Sequence, residues 1–179
     1  MAKLAACGRV VHGKVDALLL NVKLAGGVLD ACGSASDAIK VVLEAHSLNV
    51  STNDFNPRLT ADTHLDATSE EFTAMFSTEG QRPDWIVTSP PYGNAFSILV
   101  RALGVVRVGV AFKLRLSFLE PTKTRGKWLK DNPPSAVVVL PRATYCGRVC
   151  SSTEAWFIWH LASDGVERPG QAFFFDACS

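Results

Sequence analysis

The sequence has 179 residues, of which 47% are hydrophobic and 20% charged, and its formal net charge is +1 at pH 7. This composition excludes a disordered chain and is typical of one globular domain with a substantial core. Because the net charge is close to zero, binding to nucleic acid would require a local basic patch.

The cysteines and the N-terminal part of the chain indicate a cellular compartment. The five cysteines lack the spacing of a metal site or a disulfide framework and predict free thiols in a reducing environment; they are Cys7, Cys32, Cys146, Cys150 and Cys178. Residues 15–28 are too short and too often interrupted by polar residues to span a membrane, and no signal peptide is evident. We therefore expect an intracellular protein, cytoplasmic or nuclear rather than secreted, with no membrane partner.

Strands and helices alternate in the first third of the chain. Val15–Leu24 is a predicted helix, and Val28–Cys32 and Val50–Asn53 are short apolar runs typical of buried strands. Between these strands lie a turn of small residues, Gly33–Ser36, and a helical pattern over Asp37–Ala45. This order predicts a βαβ unit of a parallel sheet, with a ligand site at the carboxyl ends of its strands.

The rest of the chain continues the α/β pattern. The predicted helices are Glu70–Phe76, Ala95–Leu103 and Pro121–Lys130, and the predicted strands are Trp85–Thr88, Val105–Leu114, Ala136–Leu140, Ala155–Leu161 and Ala172–Phe175. The strands Ala136–Leu140 and Ala155–Leu161 predict an antiparallel hairpin at the sheet edge. The expected fold is therefore α/β, with a mostly parallel sheet and a C-terminal antiparallel hairpin.

The strongest chemical signal is Ser89-Pro90-Pro91-Tyr92, directly after the strand Trp85–Thr88. Two prolines fix a stiff loop at the end of a strand, where ligands bind in open α/β sheets. Its carbonyl and hydroxyl oxygens can accept hydrogen bonds from a flat amino group while the tyrosine ring stacks on a base. The nitrogen lone pair then stays free to attack an electrophilic methyl group. The alternative is a purely structural Pro-Pro turn.

This tetrapeptide resembles the (Asp/Asn/Ser)-Pro-Pro-(Tyr/Phe) motif of S-adenosylmethionine-dependent amino-methyltransferases, which methylate adenine, cytosine or a protein glutamine. The Ser-Pro-Pro-Tyr form preceded by Thr88 is most typical of cytosine N4 enzymes. Residues 84–161 are also similar to phage-type homologues, with matching positions at Phe118-Leu119-Glu120, Arg125, Pro133-Pro134, Arg142 and Trp156-Phe157-Ile158-Trp159. The resemblance implies a Rossmann-like fold and a catalytic role for Ser89, Pro90, Pro91 and Tyr92.

The resemblance also implies an S-adenosylmethionine site formed by Asp30, Cys32, Gly33, Ser34, Asp54 and Asp66. In the family an acid is followed by a Gly-x-Gly turn, whereas here Gly33 is followed by Ser34 and other small residues. Asp54 occupies the position that would bind the ribose diol, and Asp66 the position near the adenine amino group, with Asp62 as a competitor. The alternative is that these are ordinary turn and cap residues.

A basic stretch suggests contacts with the substrate. Its members are Lys113, Arg115, Lys123, Arg125, Lys127 and Lys130. Either they contact phosphates near the catalytic loop or they form a solvated helix face. The predicted substrate-binding residues are Lys113, Arg115 and Arg125, together with Tyr145, which by resemblance to adenine enzymes packs against a flipped base.

The sequence therefore predicts an N-methyltransferase that acts on an exocyclic amino group, adenine N6 or cytosine N4, with DNA a better candidate than RNA. Transfer is direct and uses no metal. We expect a single domain over residues 1–179 with no target-recognition domain, so that sequence choice comes from loops, a protein partner or a second copy, or is absent. The alternatives are a protein-glutamine or RNA methyltransferase, or a degenerate domain that binds nucleic acid or a partner without catalysis.

Overall fold

The structure is a computed structural model that describes residues 14–142, 144–145, 148–149, 152–161 and 172–175. Seven strands form the main sheet: β1 (Gly27–Asp30), β2 (Asn49–Thr52), β3 (Trp85–Thr88), β4 (Gly109–Arg115), β5 (Ala136–Val139), β8 (Glu154–His160) and β9 (Ala172–Phe175). The short strands β6 (Thr144–Tyr145) and β7 (Arg148–Val149) pair separately as a two-stranded sheet.

Helices connect most of these strands. They are α1 (residues 14–21), α2 (Ala38–Ala45), α3 (Glu70–Ser77), α4 (Ala95–Val105) and α5 (Lys123–Asp131), with a 3₁₀ helix at Leu116–Leu119. Local capping explains two of the starting points. The Ser69 hydroxyl accepts a hydrogen bond from the Phe72 N–H, and the Thr122 hydroxyl accepts one from the Arg125 N–H. None of the helices in the described ranges is both long and apolar enough to cross a membrane.

The main sheet has the strand order β2-β1-β3-β4-β8-β5-β9. β1 pairs in parallel with β2 and β3, and β3 pairs in parallel with β4. β8 runs antiparallel to both β4 and β5. The prediction of a Rossmann-like, mostly parallel sheet with an antiparallel C-terminal pair is confirmed. The carboxyl ends of β1, β2 and β3 lie along one edge, where the loops after them can share a ligand.

The central strands of the sheet are buried on both faces. Successive residues of β3 alternate between two core clusters, with Trp85 and Val87 in one and Ile86 in the other. Helices α1 and α2 cover the face of Trp85 through side chains such as Leu18 and Leu43. Because both faces are covered there, β3 and its neighbours have nearly continuous apolar runs, whereas β2 at the end of the sheet alternates between exposed and buried residues.

The predicted hairpin is confirmed as a pairing but was wrong in its position. β5 and β8 do pair antiparallel, yet β8 lies inside the sheet between β4 and β5. β9 then pairs in parallel with β5 and is the end strand of the described sheet. Neighbours in the chain predict which strands can form a hairpin, but the strand on the other side of β8 is set by long-range pairing.

The predicted strand Val105–Leu114 was wrong at its beginning. Helix α4 continues through Val105, and β4 begins at Gly109. Val105 and Val106 are fully buried, and their carbonyl groups accept hydrogen bonds from the Arg82 guanidinium. A run of β-branched residues is typical of a strand, but here tertiary packing and a distant arginine stabilise a helix end.

Candidate functional site

A cavity of about 380 Å³ lies at the carboxyl ends of β1, β2 and β3. Five residues predicted from the sequence line it, and they are Cys32, Asp54, Asp66, Ser89 and Pro91. The remaining lining residues are mainly apolar: Ala31, Phe55, Leu65, Ala67, Asn94 and Ile98. The structure therefore brings three of the six predicted cofactor residues and two residues of the Ser89–Tyr92 loop to one cavity, which we call the carboxylate cavity.

Thr88, the last residue of β3, ties the two loops of this cavity together. Its hydroxyl donates to Asp30 Oδ1 at 2.6 Å and accepts a hydrogen bond from the Cys32 N–H at 3.0 Å. Thr88 and Asp30 are both buried. Because Ser89 follows Thr88 directly, the Ser89–Tyr92 loop and the turn after β1 are held in fixed relative positions.

Asp30 and Cys32 are unusual as titrating groups. Burial raises the pKa of the Asp30 carboxyl to about 7, although hydrogen bonds from Thr88 and Cys32 oppose the rise. Asp30 Oδ2 is buried and has no hydrogen-bond partner among the described residues. Burial also raises the pKa of the Cys32 thiol to about 12, so the thiol remains protonated at neutral pH and is a poor nucleophile.

The turn after β1 is tightly closed. A Cβ atom on Gly33 would lie 2.0 Å from Asp30 Oδ2, so only glycine fits this position. The Gly33 N–H donates to the Asn53 carbonyl, the Ser34 N–H to the Asp37 carboxylate, and the Ala35 N–H to the Thr60 carbonyl. Gly33 and Ser34 shape the turn, while Cys32 is the predicted residue of this turn that lines the cavity.

The acidic residues after β2 separate into two places. Asp54 Oδ1 accepts a hydrogen bond from the Asn56 N–H at 2.7 Å, and Asp66 Oδ1 accepts two from Thr68. Those bonds from Thr68 lower the pKa of Asp66. Asp62 instead accepts hydrogen bonds from the N–H and the hydroxyl of Thr52, and it lines a different cavity. Asp66, the residue preferred from the sequence, is the one that lies on the carboxylate cavity.

Asn53 and Phe55 are site residues that the sequence analysis missed. Asn53 is fully buried; its amide donates to the carbonyls of Ala31 and Leu65 and accepts from the Leu65 N–H. It therefore joins the loops after β1 and β2. Phe55 is 71% exposed and lines the cavity beside Asp54. An aromatic residue directly after an acid at a strand end was the available signal for Phe55.

A second cavity, of about 190 Å³, lies on the Tyr92 side of the Ser89–Tyr92 loop, and we call it the arginine cavity. Its lining residues are Tyr92, Ala95, Leu114, Arg115, Ser117, Phe118, Glu120 and Arg125. Tyr92 is 48% exposed. Pro90, between Ser89 and Pro91, is buried and anchors the loop. The motif thus contributes Ser89 and Pro91 to one cavity and Tyr92 to the other.

The predicted substrate cations occupy different environments. The Arg115 guanidinium lies over the Tyr92 ring, 4.3 Å from its centroid. Arg125 lies over the Phe118 ring and donates to the Glu120 carbonyl. Lys113 is mostly buried, with its ammonium nitrogen 4.0 Å from Glu154 Oε2, and burial lowers its pKa. Two of the three predicted cations therefore line the arginine cavity.

Tyr145 lies in β6, and its side chain falls outside the described residues, as do Cys7, Cys146, Cys150 and Cys178. Cys32 is a free thiol. Within the described ranges, no group of three or more His, Cys, Asp or Glu residues is placed to hold a metal ion.

Comparison with known proteins found similar solved structures but no match by sequence. No protein-family model matches the sequence, and no curated protein matches it. A Listeria monocytogenes protein assigned as a class I S-adenosylmethionine-dependent methyltransferase superposes with a TM-score of 0.60 at 13% identity, over 95% of this chain and 64% of that one. A Vibrio vulnificus YJ016 protein assigned as a modification subunit of a type I restriction enzyme has a TM-score of 0.58 at 12% identity, over 94% of this chain and 46% of that one.

A third solved structure is magnesium protoporphyrin IX methyltransferase from Synechocystis PCC 6803 with bound S-adenosylmethionine. Its TM-score is 0.52 at 11% identity, and the match covers 88% of this chain and 81% of that one. This chain spans less than two thirds of the length of the Listeria and Vibrio proteins. Together with the sheet order, these matches show that the chain has the fold of S-adenosylmethionine-dependent methyltransferases.

Proposed function

We propose that this chain is an S-adenosylmethionine-dependent methyltransferase that acts on an exocyclic amino group of a nucleic-acid base. The observation that carries the proposal is the position of the Ser89–Tyr92 loop between two chemically different cavities. The carboxylate cavity suits a cofactor with hydroxyl and amino groups. The arginine cavity offers an aromatic ring and two cations, which suit a base and its phosphates.

The residues of the carboxylate cavity fit S-adenosylmethionine. Asp54 would accept hydrogen bonds from the ribose hydroxyls, and Asp66 from the adenine amino group. The exposed Phe55 ring offers an apolar face to the adenine. The turn containing Asp30, Cys32, Gly33 and Ser34 would lie against the methionine part. When bound, the cofactor supplies an electrophilic methyl group.

The catalytic loop would hold the acceptor for direct transfer. The Ser89 hydroxyl and the loop carbonyls accept hydrogen bonds from the amino group, which leaves its lone pair directed at the methyl group. The loop is stiff because Pro90 is buried and the Thr88 hydroxyl is hydrogen-bonded to the Asp30 carboxyl group. Catalysis then comes from positioning and from fixed hydrogen-bond acceptors, with no covalent intermediate.

DNA is the acceptor that we propose, at adenine N6 or cytosine N4. One of the fold neighbours is assigned as a modification subunit of a type I restriction enzyme. Arg115 and Arg125 at the arginine cavity favour a phosphate-bearing substrate over a protein amide. We further propose that residues 1–179 act as one intracellular domain, and that a protein partner or a second copy supplies any additional contacts with DNA, including sequence choice.

Asp54→Ala should weaken the binding of S-adenosylmethionine by about tenfold or more, because hydrogen bonds to a charged group contribute about 1.5–3 kcal/mol. Isothermal titration calorimetry measures the dissociation constant. Asp62→Ala is the matched control, since Asp62 bonds to Thr52 and lines another cavity. Equal affinities for the two variants would show that the cofactor lies elsewhere.

Single-stranded DNA should be methylated faster than the matching duplex. Removing a base from a duplex costs a few kcal/mol, and the described cations near Tyr92 offer few contacts to offset that cost. The experiment is transfer of labelled methyl groups to DNA, RNA and protein pools, followed by competition between matched single- and double-stranded oligonucleotides. A preference for the duplex would contradict this expectation, and labelling of RNA or protein alone would replace DNA as the acceptor.

A second function is favoured by one observation. The N–H groups of Gly33, Ser34 and Ala35 already donate within the protein, and the usual Gly-x-Gly turn is altered. A domain that binds nucleic acid without catalysis would fit such a turn. Failure to bind S-adenosylmethionine at millimolar concentration, with oligonucleotide binding retained, would favour this function over the methyltransferase.

A further inference from the structure

Two residues on neighbouring strands contact Tyr92 from different sides. Arg115 on β4 and Glu154 on β8 are paired directly across the antiparallel ladder. The Arg115 guanidinium lies 4.3 Å from the centroid of the Tyr92 ring, and the Tyr92 hydroxyl donates to Glu154 Oε1 at 3.1 Å. Tyr92 and Glu154 are 62 residues apart in sequence. The loop after β3 and the strand β8 therefore meet at this tyrosine.

Glu154 is itself held in place by two lysines. Lys14 from α1 forms an ion pair with Glu154 Oε2, and Lys113 lies 4.0 Å from the same oxygen. The side chains of Glu154, Lys113 and Lys14 are 17%, 15% and 6% exposed. Burial opposes ionisation, but the two lysines hold the pKa of Glu154 below its ordinary value. Glu154 is therefore a fixed, ionised acceptor for the Tyr92 hydroxyl.

A half-exposed aromatic ring on a loop needs such a constraint if it is to stack on a base. Without it the ring can rotate about its side-chain bonds, and ordering it on binding would cost conformational entropy. The Arg115 guanidinium packs on one face of the ring, while about half of the Tyr92 surface stays exposed to a planar acceptor. The hydrogen bond from the Tyr92 hydroxyl to Glu154 fixes the orientation of the ring in the arginine cavity.

We propose that Glu154 is a positioning residue that fixes the orientation of Tyr92 for binding of the acceptor base. This inference rests on the proposed function, because it takes Tyr92 as the ring that stacks on the acceptor. Glu154 acts through Tyr92 and has no direct contact with the reacting groups. Neither the tetrapeptide nor the basic stretch identifies it.

A double-mutant cycle tests the proposal on kcat/KM for a single-stranded oligonucleotide. Glu154→Ala should lower kcat/KM about fivefold when Tyr92 is present, and less than about twofold in the Tyr92→Phe background, because the hydrogen bond that it removes is already absent. Glu154→Gln keeps an oxygen acceptor and should retain most of the activity. The dissociation constant of S-adenosylmethionine should not change. Equal losses in both backgrounds would overturn the proposal.

A titration tests the same contact without any activity. The chain has two tyrosines, so a Tyr145→Phe variant leaves Tyr92 as the only phenol. Burial and the Glu154 carboxylate raise the pKa of Tyr92. In the Tyr145→Phe background, Glu154→Gln should lower the pKa of Tyr92, as measured by absorbance of the phenolate. An unchanged pKa would overturn the proposal, even if Glu154→Ala does not fold.

The two readouts separate this inference from the proposed function. If the wild-type protein transfers no methyl group to any pool while the Tyr92 titration responds to Glu154→Gln, the proposed function fails and the orientation of Tyr92 by Glu154 stands. If transfer occurs and neither the cycle nor the titration shows coupling, the function stands and the inference about Glu154 fails.

Discussion

Asp30→Asn should remove most of the pH dependence of folding stability between about pH 4 and pH 7. Burial raises the pKa of Asp30 from 3.8 to about 7 in the folded protein. Over this range the folded state holds a proton that the unfolded state releases, so stability falls as the pH rises. The loss begins near the unfolded pKa and is complete above the folded one.

The expected size of this effect is large. A rise in pKa from 3.8 to about 7 corresponds to roughly 4 kcal/mol, at 1.36 kcal/mol for each tenfold change in affinity for the proton. Roughly 3 kcal/mol of this lies between pH 5 and pH 8, because the unfolded carboxyl is already ionised at pH 5 and the folded one loses its proton only near pH 7. The free energy of unfolding, measured with urea at these two pH values, should therefore fall by about that amount in the wild-type protein and change much less in Asp30→Asn. The free energy of unfolding of Asp30→Asn should be lower than that of the wild type at both pH values, since an amide group replaces the carboxyl beside the Gly33 turn.

Asp131→Asn is the control for this experiment, because Asp131 is an exposed carboxylate at the end of α5. Its pH profile should match that of the wild type. If Asp30→Asn and wild type lose equal stability from pH 5 to pH 8, Asp30 is ionised in the folded protein at both values.

Tyr92→Ala should lower kcat/KM for an oligonucleotide by up to about 100-fold, because stacking on a base contributes roughly 1–3 kcal/mol. Tyr92→Phe keeps the ring and loses the hydrogen bond to Glu154, and it should cost no more than about tenfold. Steady-state kinetics with labelled S-adenosylmethionine measure both, and urea denaturation shows whether each variant is folded.

Since Tyr92 is 48% exposed, neither change should affect the core. Equal losses for Tyr92→Phe and Tyr92→Ala in folded protein would show that the hydroxyl carries the effect and that stacking is the wrong role. An equal and large increase in the dissociation constant of S-adenosylmethionine in both variants would place Tyr92 on the cofactor side of the loop.

Local features of the sequence determined much of the fold. The three apolar residues Trp85–Val87 and the β-branched Thr88, with two prolines after Ser89, predicted β3 with its exact bounds. The alternation of apolar strands with helical patterns predicted the parallel sheet, since the short strands β1 and β3 are apolar runs buried on both faces. The sequence also predicted which residues follow the carboxyl ends of β1, β2 and β3, and those residues share a cavity because parallel strands end at one edge.

Tertiary structure decided what local rules do not encode. Val105 belongs to a helix because buried packing and Arg82 stabilise its end, and β8 is internal because β4 pairs with its other side. Hydrogen bonds between residues far apart in sequence built the site: Thr88 with Asp30, 58 residues away, and Tyr92 with Glu154, 62 residues away. Propensity and spacing act over a few residues, whereas these contacts exist only once the sheet has brought its strands together.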